Sequence, residues 1–164
     1  MTIQTFLSEN NDACHDGRAW LEQQTSLDSA WETCQMSKWM LWALGRTHAG
    51  KYEKELRLFA CWCARQCKQT DERCVAAIEV AERYAHGKAT LDELDKARAA
   101  AYVSWAAEGA SWAAAAACAA ADRSERVACA AEGAAAGKSA TYATLSCQSA
   151  KLRELIENPY TKLT

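Results

Sequence analysis

The 164-residue sequence has little to punctuate a chain: one proline, Pro159, and seven glycines. All-β sandwiches and collagen-like folds need far more turn residues, so both are excluded. Long hydrophobic runs are missing too. The longest, Trp112–Ala121, has ten residues and is mostly alanine, against the roughly 20 that a membrane span needs. Met1–Asn10 has neither a basic start nor an apolar core, so no signal peptide is expected and the reading is cytoplasmic. There is no surplus of positive charge. Nineteen basic and 21 acidic side chains give a net charge of −2, and residues 97–150 carry four of each. No segment offers the basic footprint of a nucleic-acid binder. Phosphate loops, Gly-x-Ser-x-Gly elbows, His-Glu-x-x-His zinc motifs and Glu-x-x-His di-iron pairs are all absent.

What is abundant is alanine, cysteine and tryptophan. Alanine occurs 36 times, 24 of them between Ala97 and Ala150. It is the best helix former and a poor core filler, so the composition predicts an all-α fold. Nine cysteines, an odd number without a secretion signal, argue for buried thiols rather than a disulfide framework.

The first 15 residues are polar and aperiodic and read as a flexible arm, followed by a single all-α domain over residues 16–164. Asp16, Ser26 and Ser37 are expected to cap short helices over Arg18–Gln23, Leu27–Cys34 and Lys38–Leu44, the last stopped by Gly45. These helices hold Trp20, Trp31, Trp39 and Trp42, a bulky cluster suited to cover one end of a bundle. From Tyr52 to Lys68, Leu56, Phe59, Ala60, Cys63 and Cys67 form one helical stripe, with Leu58 and Trp62 on a second face. Asp71–Ala85 repeats the pattern with Cys74, Ala77, Ile78, Ala81 and Ala85, and Gly87 stands where a helix ends. Thr90 and Glu93 match a capping box. The alanine-rich region beyond is expected to break into helices over about 91–121, 124–136 and 139–157. The architecture predicted is a helical bundle or a short solenoid of stacked α-hairpins with long alanine-rich C-terminal helices.

Each candidate for chemistry has a plainer reading beside it. Cys61, Cys63, Cys67 and Cys74 suggest thiolate ligands, but zinc knuckles sit on turns and these lie on helices, so the core reading is preferred and no metal or cofactor is assigned. Cys14-His15-Asp16 lists a nucleophile, a base and an orienter, yet neighbours in sequence seldom meet in catalytic geometry. His48 and His86 flank glycines at turns, where capping is the simpler role. Glu53, Lys54, Glu55 and Arg57 read as a solvated face. No catalytic constellation emerges, and the chain is read as not an enzyme.

Several blocks carry a family likeness: Ala30-Trp31-x-x-Cys34; Trp39-Met40-Leu41-Trp42-Ala43-Leu44; Leu56-Arg57-Leu58-Phe59-Ala60-Cys61-x-Cys63-Ala64-Arg65; and Ala76-Ala77-Ile78-Glu79-Val80-Ala81-Glu82-Arg83-Tyr84-Ala85-His86-Gly87. Together, over about residues 27–120, the chain resembles a group of bacterial and phage helical proteins, the Imm-5-like immunity proteins. The resemblance implies a non-enzymatic inhibitor that binds a toxin or a defence enzyme and occludes its surface, and it brings no catalytic residues. Residues 1–50 carry six acidic and three basic side chains, an excess that would steer the chain toward a basic target. The partner-binding candidates are Asp12, Asp16, Trp20, Glu22, Asp28, Trp31, Glu32 and Trp112. Two other readings stand beside this one: a thiol-based metal-binding or redox-sensing protein, and a structural module that self-associates through its alanine faces into a homo-oligomer.

Overall fold

The structure is a computed structural model that describes residues 1–66, 71–108 and 142–161. The described residues are helical and contain no strand, as the scarcity of proline and glycine predicts. Eight helices are described: α1 (Ile3–Glu9), α2 (His15–Leu21), α3 (Leu27–Thr33), α4 (Ser37–Thr47), α5 (Glu53–Gln66), α6 (Glu72–Ala85), α7 (Leu91–Glu108) and α8 (Tyr142–Leu155). The expected helix over 124–136, the far end of 91–121, Trp112 and Cys67 lie outside the described residues. No described helix is long and apolar enough to cross a membrane.

Residues 1–15, expected as a loose arm, contain α1. The Thr2 hydroxyl accepts the Thr5 N–H at 3.1 Å, and the Asn10 side chain donates to the Phe6 carbonyl at 2.8 Å. Both ends of one short helix are thereby satisfied. Ile3, Phe6 and Leu7 fall on one face and are buried, and that burial, rather than helix propensity, is what stabilises so short an element.

Capping decides the next boundaries. Ser26 caps α3, accepting from Ser29 N–H at 3.0 Å. Asp16 does not cap α2. Cys14 occupies the N-cap position, without a side-chain bond, and Asp16 lies in the first turn, where its charge meets the positive end of the helix dipole. Ser37 is not a cap either. It is the first residue of α4, buried, and its hydroxyl donates to Gln148 Oε1 at 2.7 Å. Gly45 lies inside α4, which runs on to Thr47 and ends where the His48 N–H reaches the Leu44 carbonyl at 2.8 Å.

The middle of the chain follows its sequence signals closely. Asp71 caps α6, accepting from Arg73 N–H at 2.8 Å. Gly87 takes φ +68° after the helix ends, a conformation side-chain-bearing residues rarely adopt. Thr90 and Glu93 form the capping box: Glu93 accepts the Thr90 N–H at 2.7 Å, and the Thr90 hydroxyl accepts the Glu93 N–H at 3.2 Å. Glu93 is held below the ordinary carboxylate range, first by the Thr90 N–H and then by the Thr90 hydroxyl.

Helices α5, α6 and α7 pack in succession, and α8 returns against α4 and α5. Cys74, Ala77, Ile78 and Ala81 of α6 are buried, as are Leu94 and Ala101 of α7. On α5 the expected stripe is present in Phe59, Ala60 and Cys63. The second buried row is Arg57, Cys61 and Ala64 rather than Leu58 and Trp62. Arg57, expected on a solvated face, is only 5% exposed. Its guanidinium lies over the Tyr84 ring of α6 at 4.6 Å, and its aliphatic stem fills space as a hydrophobic residue would.

The C-terminal segment fastens α3 to α4. Arg153 Nη1 donates to the carbonyls of Trp31 at 3.0 Å and Cys34 at 2.9 Å, placing a cation at the negative end of α3. Asn158 donates to the Asp28 carbonyl at 3.2 Å and to Glu32 Oε1 at 2.8 Å.

Candidate functional site: an aromatic-walled cavity

The short helices α2, α3 and α4 each carry tryptophan, and Tyr160 arrives from the far end of the sequence. Between them lies a cavity of about 300 Å³ that opens to solvent. Its walls are mainly apolar and include Trp20, Trp31, Trp39, Trp42, Met40 and Tyr160. The rings brace one another. Trp20 and Trp39 have centroids 5.6 Å apart, Trp31 meets Tyr160 edge-on at 6.1 Å, and Phe6 meets Trp42 edge-on at 5.4 Å. Such contacts fix ring orientation as well as burying area. The volume is at the small end of the range for ligand pockets, roughly 300–1,000 Å³.

The polar groups around it are few. The indole Nε1 of Trp39 is buried and has no hydrogen-bond partner. Leaving a buried donor unsatisfied costs about 1–3 kcal/mol. Gly17, also in the wall, is what gives this indole room: a Cβ there would stand 3.2 Å from Trp39 Nε1 and 3.0 Å from Cys14 Sγ. Two charged residues line the mouth. Asp12 is ion-paired with Arg46, whose guanidinium also lies over Trp42 at 5.8 Å. Lys38 is exposed and makes no ion pair among the described residues.

The ionisable groups deep in the wall are kept neutral. Burial pushes the Cys34 thiol above its ordinary value, against the opposing pull of the Met36 backbone and of the Arg153 charge. Burial pushes Tyr160 up to about 12 despite a 3.1 Å hydrogen bond with Thr47. At neutral pH these walls offer mainly apolar packing surface.

Of the partner-binding candidates, Asp12, Trp20 and Trp31 line this cavity. Trp31 is only 3% exposed, so it serves as wall rather than as outer surface. Glu22 lies 4.0 Å from Arg18, and Glu32 accepts from Asn158 as above. Asp28 is half-buried and contributes its backbone carbonyl. Asp16 is exposed, 3.3 Å from His15 Nδ1. With side chains 96% and 88% exposed, His15 and Asp16 are bathed in water, and nothing encloses them. Trp39 and Trp42 stand in the sequence only as members of the aromatic cluster, and Gly17, Lys38 and Tyr160 carry no local signal of a cavity.

Cys61, Cys63 and Cys74 are buried within the α5–α6 packing. Among the described residues, no group of three or more His, Cys, Asp or Glu side chains is placed to hold a metal ion. Comparison with protein-family models, with curated proteins and with solved structures finds no match.

Proposed function

We propose that this chain is a non-enzymatic binding protein of the immunity kind, which neutralises a toxin or a defence effector by covering its surface. The resemblance to Imm-5-like proteins supplies the class. An anti-defence inhibitor carried by a phage is the variant of the same role that its phage members suggest. The observation that carries the reading is an acidic surplus beside an open aromatic cavity. Residues 1–50 hold six acidic and three basic side chains. Two of the three bases are already engaged, Arg18 with Glu22 and Arg46 with Asp12. The field left over is negative and suits a basic target, while braced tryptophans are the residues on which binding energy concentrates.

The test uses the protein encoded by the adjacent gene. The chain should form a stoichiometric complex with it and restore growth of cells in which it is toxic. Double reversal of Asp16→Lys and Glu32→Lys should slow association about tenfold at low salt while changing dissociation little. If the neighbouring product neither binds the chain nor loses activity in its presence, the reading is wrong.

A further inference from the structure

We propose that the cavity is a binding site for a small neutral apolar molecule about the size of two fused rings. This goes beyond the reading above and does not depend on it. Protein interiors are packed to the density of organic crystals, with few voids larger than a water molecule. An apolar opening of about 300 Å³ is a departure from that rule. Small residues keep it open: Gly17 of α2, Ala30 of α3 and Ala43 of α4 all line it. Volume sets the bulk of the ligand. An apolar cavity of about 150 Å³ takes up benzene, and this one has twice that volume. The walls are already in place. The Trp20–Trp39 and Trp31–Tyr160 contacts hold the rings at fixed angles, so a ligand has few side chains to order on entry.

The polar groups of the lining select against charge and hydrogen bonding. Asp12, at the mouth, is taken by Arg46. The Tyr160 hydroxyl is bonded to Thr47 at 3.1 Å, and the Cys34 thiol is directed at the Met36 carbonyl at 3.4 Å. The Trp39 indole nitrogen is buried against Gly17, where a ligand in the open space does not reach it. Lys38 is exposed, so its ammonium stays in water, and it stands in a segment with an acidic surplus that selects neither sign. A polar ligand atom moved into this space gives up water and meets mainly apolar wall. Water is a poor occupant for the same reason, since it needs two to four polar partners. An apolar molecule gives up no hydrogen bond on entry and supplies the contacts that the open walls lack.

Equilibrium dialysis against the full chain compares naphthalene with quinoxaline, which has the same shape but carries ring-nitrogen acceptors. Naphthalene should bind one molecule per chain within its aqueous solubility, and at least about tenfold more tightly than quinoxaline. Ala43→Leu grows into the cavity and should weaken naphthalene at least about tenfold, with helicity by circular dichroism and the urea midpoint as checks on its fold. Ala13→Leu fills the space from the loop before α2 and should weaken naphthalene about threefold. Lys38→Gln should change its affinity less than about twofold, because a neutral ligand has no charge for the ammonium to meet. A location test runs alongside. Cys14 is exposed and lines the cavity, whereas Cys147 is exposed and is not part of the lining. Naphthalene should slow alkylation of Cys14 by iodoacetamide, read by peptide mass spectrometry, and leave Cys147 unchanged. The inference is overturned if naphthalene binds no more tightly than quinoxaline, or if Ala43→Leu and Ala13→Leu both bind it as the parent does. It is equally overturned if Cys14 reacts at the same rate with and without naphthalene.

Discussion

In α1–α4 the rings of Phe6, Trp20, Trp31, Trp39 and Trp42 pack on one another and on Tyr160; in α5–α7 most of the buried residues are alanine or cysteine, with Phe59, Ile78 and Leu94 among them. The contrast has a mechanical consequence. Side chains such as Ala60, Ala64, Ala77 and Ala81, all fully buried, let backbones approach to the short end of the usual helix spacing, and neighbouring surfaces close on each other. Large flat rings on short helices cannot close in the same way. Their edges meet at 36–74°, and angled plates leave space between them. The aromatic half therefore holds a cavity, and none of that cavity's lining comes from α5–α7.

The strongest challenge to that contrast is removal of a large side chain from the small-residue half. Phe59 is fully buried with the Trp62 ring stacked on it at 6.3 Å, so Phe59→Ala should cost about 3–5 kcal/mol in urea unfolding. Next comes the clasp between α8 and α3. Arg153→Met leaves the Trp31 and Cys34 carbonyls without their charged donor, and should cost about 1.5–3 kcal/mol. It should also perturb the near-ultraviolet signal of the tryptophans. A matched pair then sharpens the comparison. Ala81→Leu forces bulk into the closed half and should cost about 1–3 kcal/mol. Ala43→Leu grows into the cavity that Ala43 lines and should cost less than about 1 kcal/mol by the same measurement. Equal penalties for the two would erase the distinction.

The smallest effect concerns the junction. His48 ends α4 and packs between Tyr52 at 5.8 Å and Tyr160 at 5.5 Å. Its pKa is lowered from the ordinary 6.5, first by burial and then by Lys51. The unfolded chain therefore binds this proton more readily than the folded one. The stabilising contribution is complete above 6.5 and is lost as pH falls below it through the folded value. Thermal melts at about pH 7.5 and about pH 5 should show a slightly larger drop for the parent than for His48→Gln.

Much of the helical frame was legible because its signals are local. Ser26, Asp71, Gly87 and the Thr90–Glu93 pair each act within a few residues of their own position, and the stripes of α5 and α6 need only a period. The failures share one feature, a partner distant in sequence. Ser37 looked like a cap because its buried bond runs to Gln148. Residues 1–15 read as an arm because the three apolar side chains of α1 acquire meaning only when a core receives them. Arg57 looked solvated because Tyr84 comes from the next helix. The same holds for the site. Trp20 and Trp31 were visible as candidates, but a cavity wall completed by Tyr160 and a donor left bare beside Gly17 exist only after the chain has folded.

The central claim is that the angled rings of α1–α4 enclose open space where the α5–α7 packing has none. Its most direct test is the difference in urea-unfolding free energy between Ala43→Leu and Ala81→Leu. The account predicts that Ala81→Leu costs more, by about 1 kcal/mol or beyond. A penalty at Ala43 equal to or larger than the one at Ala81 would contradict it.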